Sequence, residues 1–509
     1  MSLESNVDHT FTVLGIVNND ITKDTRVKRV AASAAANGFD SVILGFTNGH
    51  REEDASMGAV KVIRVPVPLE YAGKGKPVQA SFLDKNDDRS LKRAILYFLQ
   101  PGFMKPIERL LKGVYRFVKS KPFRRSLRRV TAVVIKLLIK VVSTVPQLKS
   151  LVQERKVSRL AATAIRRVTA RDFEFHYGEK ILEIKPDLIH AHDFHMIGVA
   201  VKAADQLREL GHEVKVVYDA HELVEGLDHL DRPVQEYWLS YESEYIHRVD
   251  GVVCVSEPQA ERLQQRYELL EKPTVILNCP VLENRENSIT TIREDLQIDN
   301  KILVYHGKAS KARGLETFIE SLRFLNDDAH IVLVVNVDDP FVKELRALAA
   351  RIDRSRSGSS QRLHFLPYVP AEDLPQYLST ADVAVIPLLP TGNHDVAMPN
   401  KLFEAIHAKL PIITSERKAL AEFINSHRIG MVYADNDPNQ LADKANEMLD
   451  DLSGYRSTLT DNFMKRYSWG AQSEELIRVY GRLLGAESSM TAAISHNDII
   501  LRESSNVTQ

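Results

Sequence analysis

The chain has 509 residues, 44% of them hydrophobic and 27% charged, with a net charge of −1. That is enough for two or three domains with ample cores, and it excludes a fibrous, low-complexity or disulfide-stapled chain. Two cysteines, Cys254 and Cys279, give no disulfide framework and suit a reducing compartment. No basic segment leads into an apolar run at the N-terminus, and no stretch of about 18 apolar residues is free of charge, so neither a signal peptide nor a membrane-spanning helix is expected.

Phe11–Val17 is apolar and β-branched and reads as a buried strand. A helix follows, with Asp24 or Thr22 as cap and Gly38 at its end, and Ser41–Gly45 is the next strand. A strand, loop, helix and strand in this order begin a doubly wound sheet. The loop has no G-x-G-x-x-G pattern, which disfavours a dinucleotide here.

The net charge conceals a polarised segment. Lys105–Arg171 holds nineteen Lys/Arg against two acids, Glu108 and Glu154, so it carries +17 and the remainder −18. Ile107, Leu110, Leu111, Val114 and Val118 share one helical face, and Val130 to Val142 repeat the pattern with basic residues opposite. Pro106, Pro122 and Pro146 punctuate these helices. A basic amphipathic helix suits an anionic membrane surface, where each Lys/Arg contributes about 1 kcal/mol. A packed insertion with solvated charges is the alternative. Nucleic acid has less support, because few aromatics interleave with the charges.

Pro186–His192 is a strand that ends in H-A-H-D. Side chains at the C-terminal ends of parallel strands face the ligand crevice, which favours His192 and Asp193 as functional and leaves His190 inside. Val214–Glu222 runs likewise into Asp219, His221 and Glu222, which either line the crevice or form a hydrogen-bonded turn. Gly251–Ser256 is another strand, Ser256 a helix cap, and Thr274–Leu277 leads into a hinge at N-C-P.

The second half alternates strand and helix, with strands at Ile302–Tyr305, Ile331–Val335, Leu363–Phe365, Val383–Ile386 and Pro411–Thr414. Helices are expected at Pro340–Arg351 and Ala371–Leu378, and Ser468 caps a last amphipathic helix to Leu484. From Gly485 onward the chain turns polar and reads as a mobile tail.

The densest signal is Tyr305–Gly314, Y-H-G-K-A-S-K-A-R-G, between a strand and a helix. A glycine-bounded cationic loop at a helix N-terminus is an anion site, with Lys308 and Arg313 adding full charges. Pro399–Glu404, P-N-K-L-F-E, opens another helix, with Asn400 as candidate cap. A carboxylate there suits sugar hydroxyls, not phosphate.

Together these stretches resemble the donor-binding half of the GT-B glycosyltransferases of retaining family four. That family carries Gly-Arg and then Lys-Gly with the cations five residues apart; Gly307-Lys308 and Arg313-Gly314 keep the spacing with the cations exchanged. The resemblance covers roughly 12–47 and 186–484 and omits the basic segment. It implies an α/β GT-B fold: two Rossmann-like, doubly wound domains facing a cleft, with a basic helical insertion in the first. The expected divisions are 1–280, with the insertion at about 75–180, then 281–466, a crossover helix at 467–485 and a tail at 486–509.

The implied activity is metal-independent, retaining transfer of a sugar from a nucleotide-diphosphate sugar. The implied catalytic residues are His192, Lys308 and Arg313. Gly307, Asn393, Asp395, Asn400, Lys401 and Glu404 would bind the donor, with Glu404 on the ribose. Asp24, Arg26, Asp193, Asp219, His221 and Glu222 would lie on the acceptor side, although Asp24 as cap and Arg26 on the helix surface explain the first pair equally well. The family's second acid, eight positions before Glu404, is Val396 here, which leaves the sugar contacts open. No cofactor, metal or nucleic acid is expected. The basic insertion points to a lipid-linked or surface-glycan acceptor, polysaccharide biosynthesis and a cytoplasmic, membrane-peripheral enzyme. A sugar-nucleotide epimerase on the same fold, and a catalytically degenerate membrane scaffold, are the alternatives.

Overall fold

The computed structural model describes residues 10–47, 49, 51–67, 172–228, 230, 232–281, 289–354 and 361–486. The basic helices anticipated in 105–171, most of the insertion and the tail from 487 lie outside the described residues.

Two sheets organise the rest. The first contains β1 (Thr12–Ile16), β2 (Asp40–Thr47), β3 (Glu53–Met57), β4 (Val60–Pro66), β5 (Leu188–His192), β6 (Lys215–Ala220), β7 (Gly251–Cys254) and β8 (Thr274–Val275). Their order is β3-β4-β2-β1-β5-β6-β7-β8. All pairings are parallel except β3 with β4. The second sheet contains β9 (Lys301–His306), β10 (Ala329–Val334), β11 (Leu363–Leu366), β12 (Val383–Ile386), β13 (Ile412–Ser415) and β14 (Gly430–Tyr433). It is parallel throughout, in the order β11-β10-β9-β12-β13-β14. Fully parallel strands are covered on both faces, which is why they read as unbroken apolar runs.

The strand order reverses beside β1 in the first sheet and beside β9 in the second. At β1 the neighbours are β2 and β5, with Val13 opposite Ser41 and Leu188. At β9 they are β10 and β12, with Leu303 opposite Ile331 and Val383. Such switch points open a crevice at the carboxyl ends of the strands. The loops after β1, β5, β6, β9 and β12 are therefore the ones that can hold a ligand.

Local signals set most boundaries. The Asp24 side chain accepts from the Val27 amide at 3.2 Å and caps the helix Thr25–Ala36. Ser256 accepts from Gln259 N–H at 3.2 Å and caps Glu257–Tyr267. Two expected caps differ. Pro399 occupies the N-cap position before Asn400, and the Ser468 hydroxyl donates back to the Lys465 carbonyl instead of capping forward. The helix from Pro340 runs on to Arg354, and the one anticipated from Ala371 begins at Leu374.

The last helix, Trp469–Leu484, packs on the first sheet. Trp469, Leu476, Ile477, Val479 and Tyr480 join Val13, Val30, Leu188 and Val217 in one core. Trp469 is fully buried, and its indole N–H donates to the Ser33 hydroxyl at 2.9 Å.

Candidate functional site

The turn after β9 is built around two glycines with positive φ. Gly307 has φ +103°, and a Cβ there would overlap the Lys401 ammonium. Gly314 has φ +63°, and a Cβ there would overlap the Pro387 carbonyl oxygen. The positive φ favours glycine at both positions, and at Gly314 only glycine lets the two backbones approach so closely. Between them, Lys311–Arg313 forms a short 3-10 turn that aims Arg313 into a cleft. Lys308 is exposed and is not among the residues that line that cleft.

The second cation on this wall is Lys401, in the first turn of the helix Asn400–His407. Its ammonium sits 5.2 Å over the Tyr305 ring. Burial, with Arg313 nearby, lowers its pKa to about 8. Pro399 and Asn400 line the cleft beside it, so the N-terminal end of that helix borders the same space. Glu404 lies one turn further along, and its carboxylate pairs with His306 Nε2 at 2.7 Å. Burial would raise the Glu404 pKa, but the His306 hydrogen bond, helped by Lys401, holds it below the usual value.

The opposite wall carries a buried polar cluster. Arg26 is 4% exposed and grips Asp219 with two parallel bonds of 2.8 Å. Its third nitrogen donates to the Ile276 carbonyl at 2.9 Å. Arg26 thus lies inside, not on the helix surface. Three histidines surround the same carboxylate: His190 Nε2 at 3.3 Å, His192 Nδ1 at 3.4 Å and His221 Nε2 at 3.3 Å from Oδ2. Burial would raise the Asp219 pKa, but Arg26 and His221 hold it well below the carboxylate range. His192 is pushed down to about 3 by burial and the neighbouring His190, so it is neutral. For His221 burial opposes the charge, yet Asp219 prevails and its pKa is raised. The Nε2 of His192 is buried without a hydrogen-bond partner and stands 3.4 Å from an ideal Cβ on Gly15.

His190, His192 and Asp219 are the one trio among the described residues whose ligand atoms lie close enough for a metal, within 4.8 Å of one another. The donor set does not suit a cation, because a guanidinium already occupies both Asp219 oxygens and His190 Nδ1 is committed to the Tyr480 hydroxyl at 2.6 Å.

Between these walls lies a cleft of about 680 Å³. Asp24, Arg26, His221 and Glu222 line one side, and Arg313, Asn393, Asn400 and Lys401 the other. Glu222 is pushed up to about 7 by burial and by the charge of Asp193. The structure therefore brings together eight of the residues singled out in the sequence.

The others stand apart from the lining. Asp193 adopts φ +70° and caps the Phe194 amide at 2.7 Å. Asp395 is half exposed and paired with Arg417 at 2.8 Å. Asp219, His192 and Glu404 form the layer behind, and Gly307 shapes the turn. Sequence reasoning overlooked Asn19, Asp20, Lys23 and Asn278, which also line the cleft. Their signal was positional, since the first three occupy the polar loop after β1, at the switch point.

Residues 300–451 match the family model described as "Glycosyl transferases group 1", and residues 145–283 match "Glycosyltransferase Family 4". The curated spore coat protein SA of Bacillus subtilis is 25% identical over 197 residues, 35% of this chain and 48% of that protein. The chain thus spans about half the length of this relative. Among solved structures, sucrose-phosphate synthase from Thermosynechococcus elongatus superposes with a TM-score of 0.58 at 17% identity, covering 94% of this chain and all of the other. The trehalose 6-phosphate synthase of Burkholderia multivorans gives 0.56 at 13% identity over 95% and 99%. Anabaena HepE, solved with UDP and glucose, gives 0.55 at 14% identity over 93% and 100%.

Proposed function

We propose that this chain, a GT-B glycosyltransferase by its two family matches and its fold, takes a sugar from a nucleoside-diphosphate sugar and transfers it with retention to a hydroxyl of a lipid-linked or surface-glycan acceptor. The observation that carries the donor half of this reading is Lys401. An ammonium held partly buried beside the Arg313 guanidinium, with the nearest carboxylate committed to His306, is short of negative charge. A diphosphate supplies that charge, and the first-turn amides of Asn400–His407 add donors to it. These fixed groups neutralise the leaving group in the way a divalent ion otherwise would, so the reading is metal-independent.

In the proposed reaction the bond from the anomeric carbon to the diphosphate oxygen breaks. The acceptor oxygen forms its bond on the same face, and the acceptor proton passes to a phosphate oxygen. Arg313 and Lys401 stabilise the departing charge, with exposed Lys308 adding a weaker field. Glu404 supplies a hydrogen-bond acceptor for a ribose hydroxyl. The neutral His192, fully buried in the layer behind the lining, supports the sugar side of the cleft. Asp24, His221 and Glu222 form the acceptor wall, backed by Arg26 and Asp219.

The acceptor class is supported by the +17 charge of Lys105–Arg171. Among the described residues no helix is long and apolar enough to cross a membrane. Contact through that segment at an anionic leaflet is therefore proposed as peripheral.

Thermal denaturation with UDP, GDP and ADP in the presence of EDTA tests the donor reading. One diphosphate at about a hundred times its Kd should stabilise the protein by about 2.7 kcal/mol, a shift of several degrees. If none acts, or if stabilisation needs a divalent ion, the reading is wrong.

A further inference from the structure

Both polar atoms of the Asn393 side chain are already engaged across the cleft. The Leu223 amide donates to Oδ1 at 3.0 Å, and Nδ2 donates to the Leu223 carbonyl at 3.1 Å. Leu223 directly follows His221 and Glu222, which line the acceptor wall. Two further contacts join the same two loops, and a third ties the donor-side loop to the Ser256 helix cap. The Gly392 amide donates to the Asp228 carboxylate at 3.1 Å, and the Ser256 hydroxyl donates to the Val396 carbonyl at 2.5 Å. Gly226 and Gly392 meet backbone to backbone, so closely that a Cβ on Gly392 would stand 2.7 Å from Gly226 Cα.

On its other side this loop is fastened to the donor half. The Leu389 amide donates to the Ala312 carbonyl at 3.1 Å, beside Arg313. His394 Nδ1 pairs with the Leu389 carbonyl at 2.8 Å, and Asp395 with Arg417 at 2.8 Å. A continuous set of contacts therefore runs from the Arg313 turn, through residues 389–396, to the segment that carries His221 and Glu222.

We propose that Asn393 is a positioning residue whose amide clips the donor-side loop to Leu223 and so fixes the separation of Arg313 and Lys401 from His221 and Glu222. It is not a donor ligand. The consequence for transfer rests on the reading of the cleft given above; the clip itself does not. Asparagine suits the task because Leu223 presents one donor and one acceptor, and a carboxamide answers both in a fixed order. An ionised aspartate only accepts, and its second oxygen would face the Leu223 carbonyl. A protonated aspartate donates again.

That asymmetry supplies the test. Spin labels at Asp54→Cys and Asp443→Cys report the distance between the two halves in the full chain, since both sites are exposed and the native Cys254 and Cys279 are buried. With Asn393 intact, one short distance should dominate at pH 5 and at pH 8. Asn393→Ala should lose about tenfold of that closed population at both pH values, the loss expected for two ordinary hydrogen bonds. Asn393→Asp should open at pH 8 and regain closure at pH 5. Gly226→Ala, which crowds Asn393, should open the cleft at both.

Unchanged distances in Asn393→Ala and Asn393→Asp would overturn the proposal. Loss of UDP binding by calorimetry with distances unchanged would overturn it in favour of a donor ligand. If the parent protein binds neither UDP, GDP nor ADP, the donor reading fails, while the distances still decide the clip.

Discussion

Nucleotide binding should lose affinity as pH rises past 8, because of Lys401. Its pKa falls from 10.5 to about 8 in the free protein, first through burial and then through repulsion by Arg313. A bound diphosphate cancels that repulsion and favours the charged form, so the pKa in the complex returns toward 10.5. The sign follows. Below about pH 7 the lysine is protonated in both states, and affinity does not depend on its proton. Above 8 the free protein loses the proton and must regain it on binding, so each further pH unit removes about a factor of ten. A shift of about 2.5 units sets a ceiling of roughly 3 kcal/mol on this coupling.

Titration calorimetry with UDP, GDP and ADP at pH 7, 8 and 9, each in two buffers of different ionisation enthalpy, reads both affinity and protons. Near pH 8 binding should take up about half a proton, on Lys401. Lys401→Arg should bind with a flat profile over this range, because a guanidinium stays charged. An affinity that is constant from pH 7 to 9, without proton uptake, would refute the reasoning and remove Lys401 from the anion site.

Arg313→Ala should reduce nucleotide affinity by about a hundredfold, as for loss of a charge-assisted contact; Lys308→Ala, at an exposed position, should cost only a few-fold, and the reverse ranking by calorimetry would restore Lys308 as the principal cation. Arg26→Met should lower stability to denaturant by about 3–5 kcal/mol, because it leaves Asp219 buried and unpaired; a loss below 1 kcal/mol would mean that the carboxylate is solvated. If the Glu222 carboxylate accepts the acceptor hydroxyl, turnover should rise as pH climbs through about 7, and Glu222→Gln should flatten that limb. Removing Lys105–Lys149 should abolish co-sedimentation with anionic vesicles; unchanged pelleting would exclude the membrane role.

The parallel strands were legible because they are buried on both faces and read as apolar runs ended by polar residues. β14 escaped notice. It is a four-residue edge strand whose Gly430 lies against the Ile412 carbonyl, a contact visible only after folding. The β3–β4 hairpin escaped as well, since β3 is mostly exposed and carries Glu53 and Asp54. At the site, a single motif placed Arg313 correctly in the cleft but could not say that Lys308 lies outside its lining. That depends on the turn Lys311–Arg313, which is set by Gly314 meeting Pro387, just after β12. The partner cation, Lys401, comes from almost ninety residues downstream. Its approach is set by the missing Cβ of Gly307. Spacing along one segment cannot report a distance between two segments.

The charge of the whole cleft follows from the same long-range placement. Arg26 neutralises Asp219, so the cluster it anchors has no net anionic field to offer. Desolvation keeps His190 and His192 below the ordinary imidazole value, while Asp219 raises His221 above it. The histidine that holds a proton most readily is thus the one that lines the cleft, across from Arg313 and Lys401. The Arg313 and Lys401 wall then favours an anion, whereas the facing wall sets the Asp20 and Asp24 carboxylates beside His221. A neutral Glu222 adds no opposing charge until the pH exceeds about 7. In the proposed reading a phosphorylated ligand is held chiefly by Arg313 and Lys401. The Asn393 contacts to Leu223 tie those two walls together.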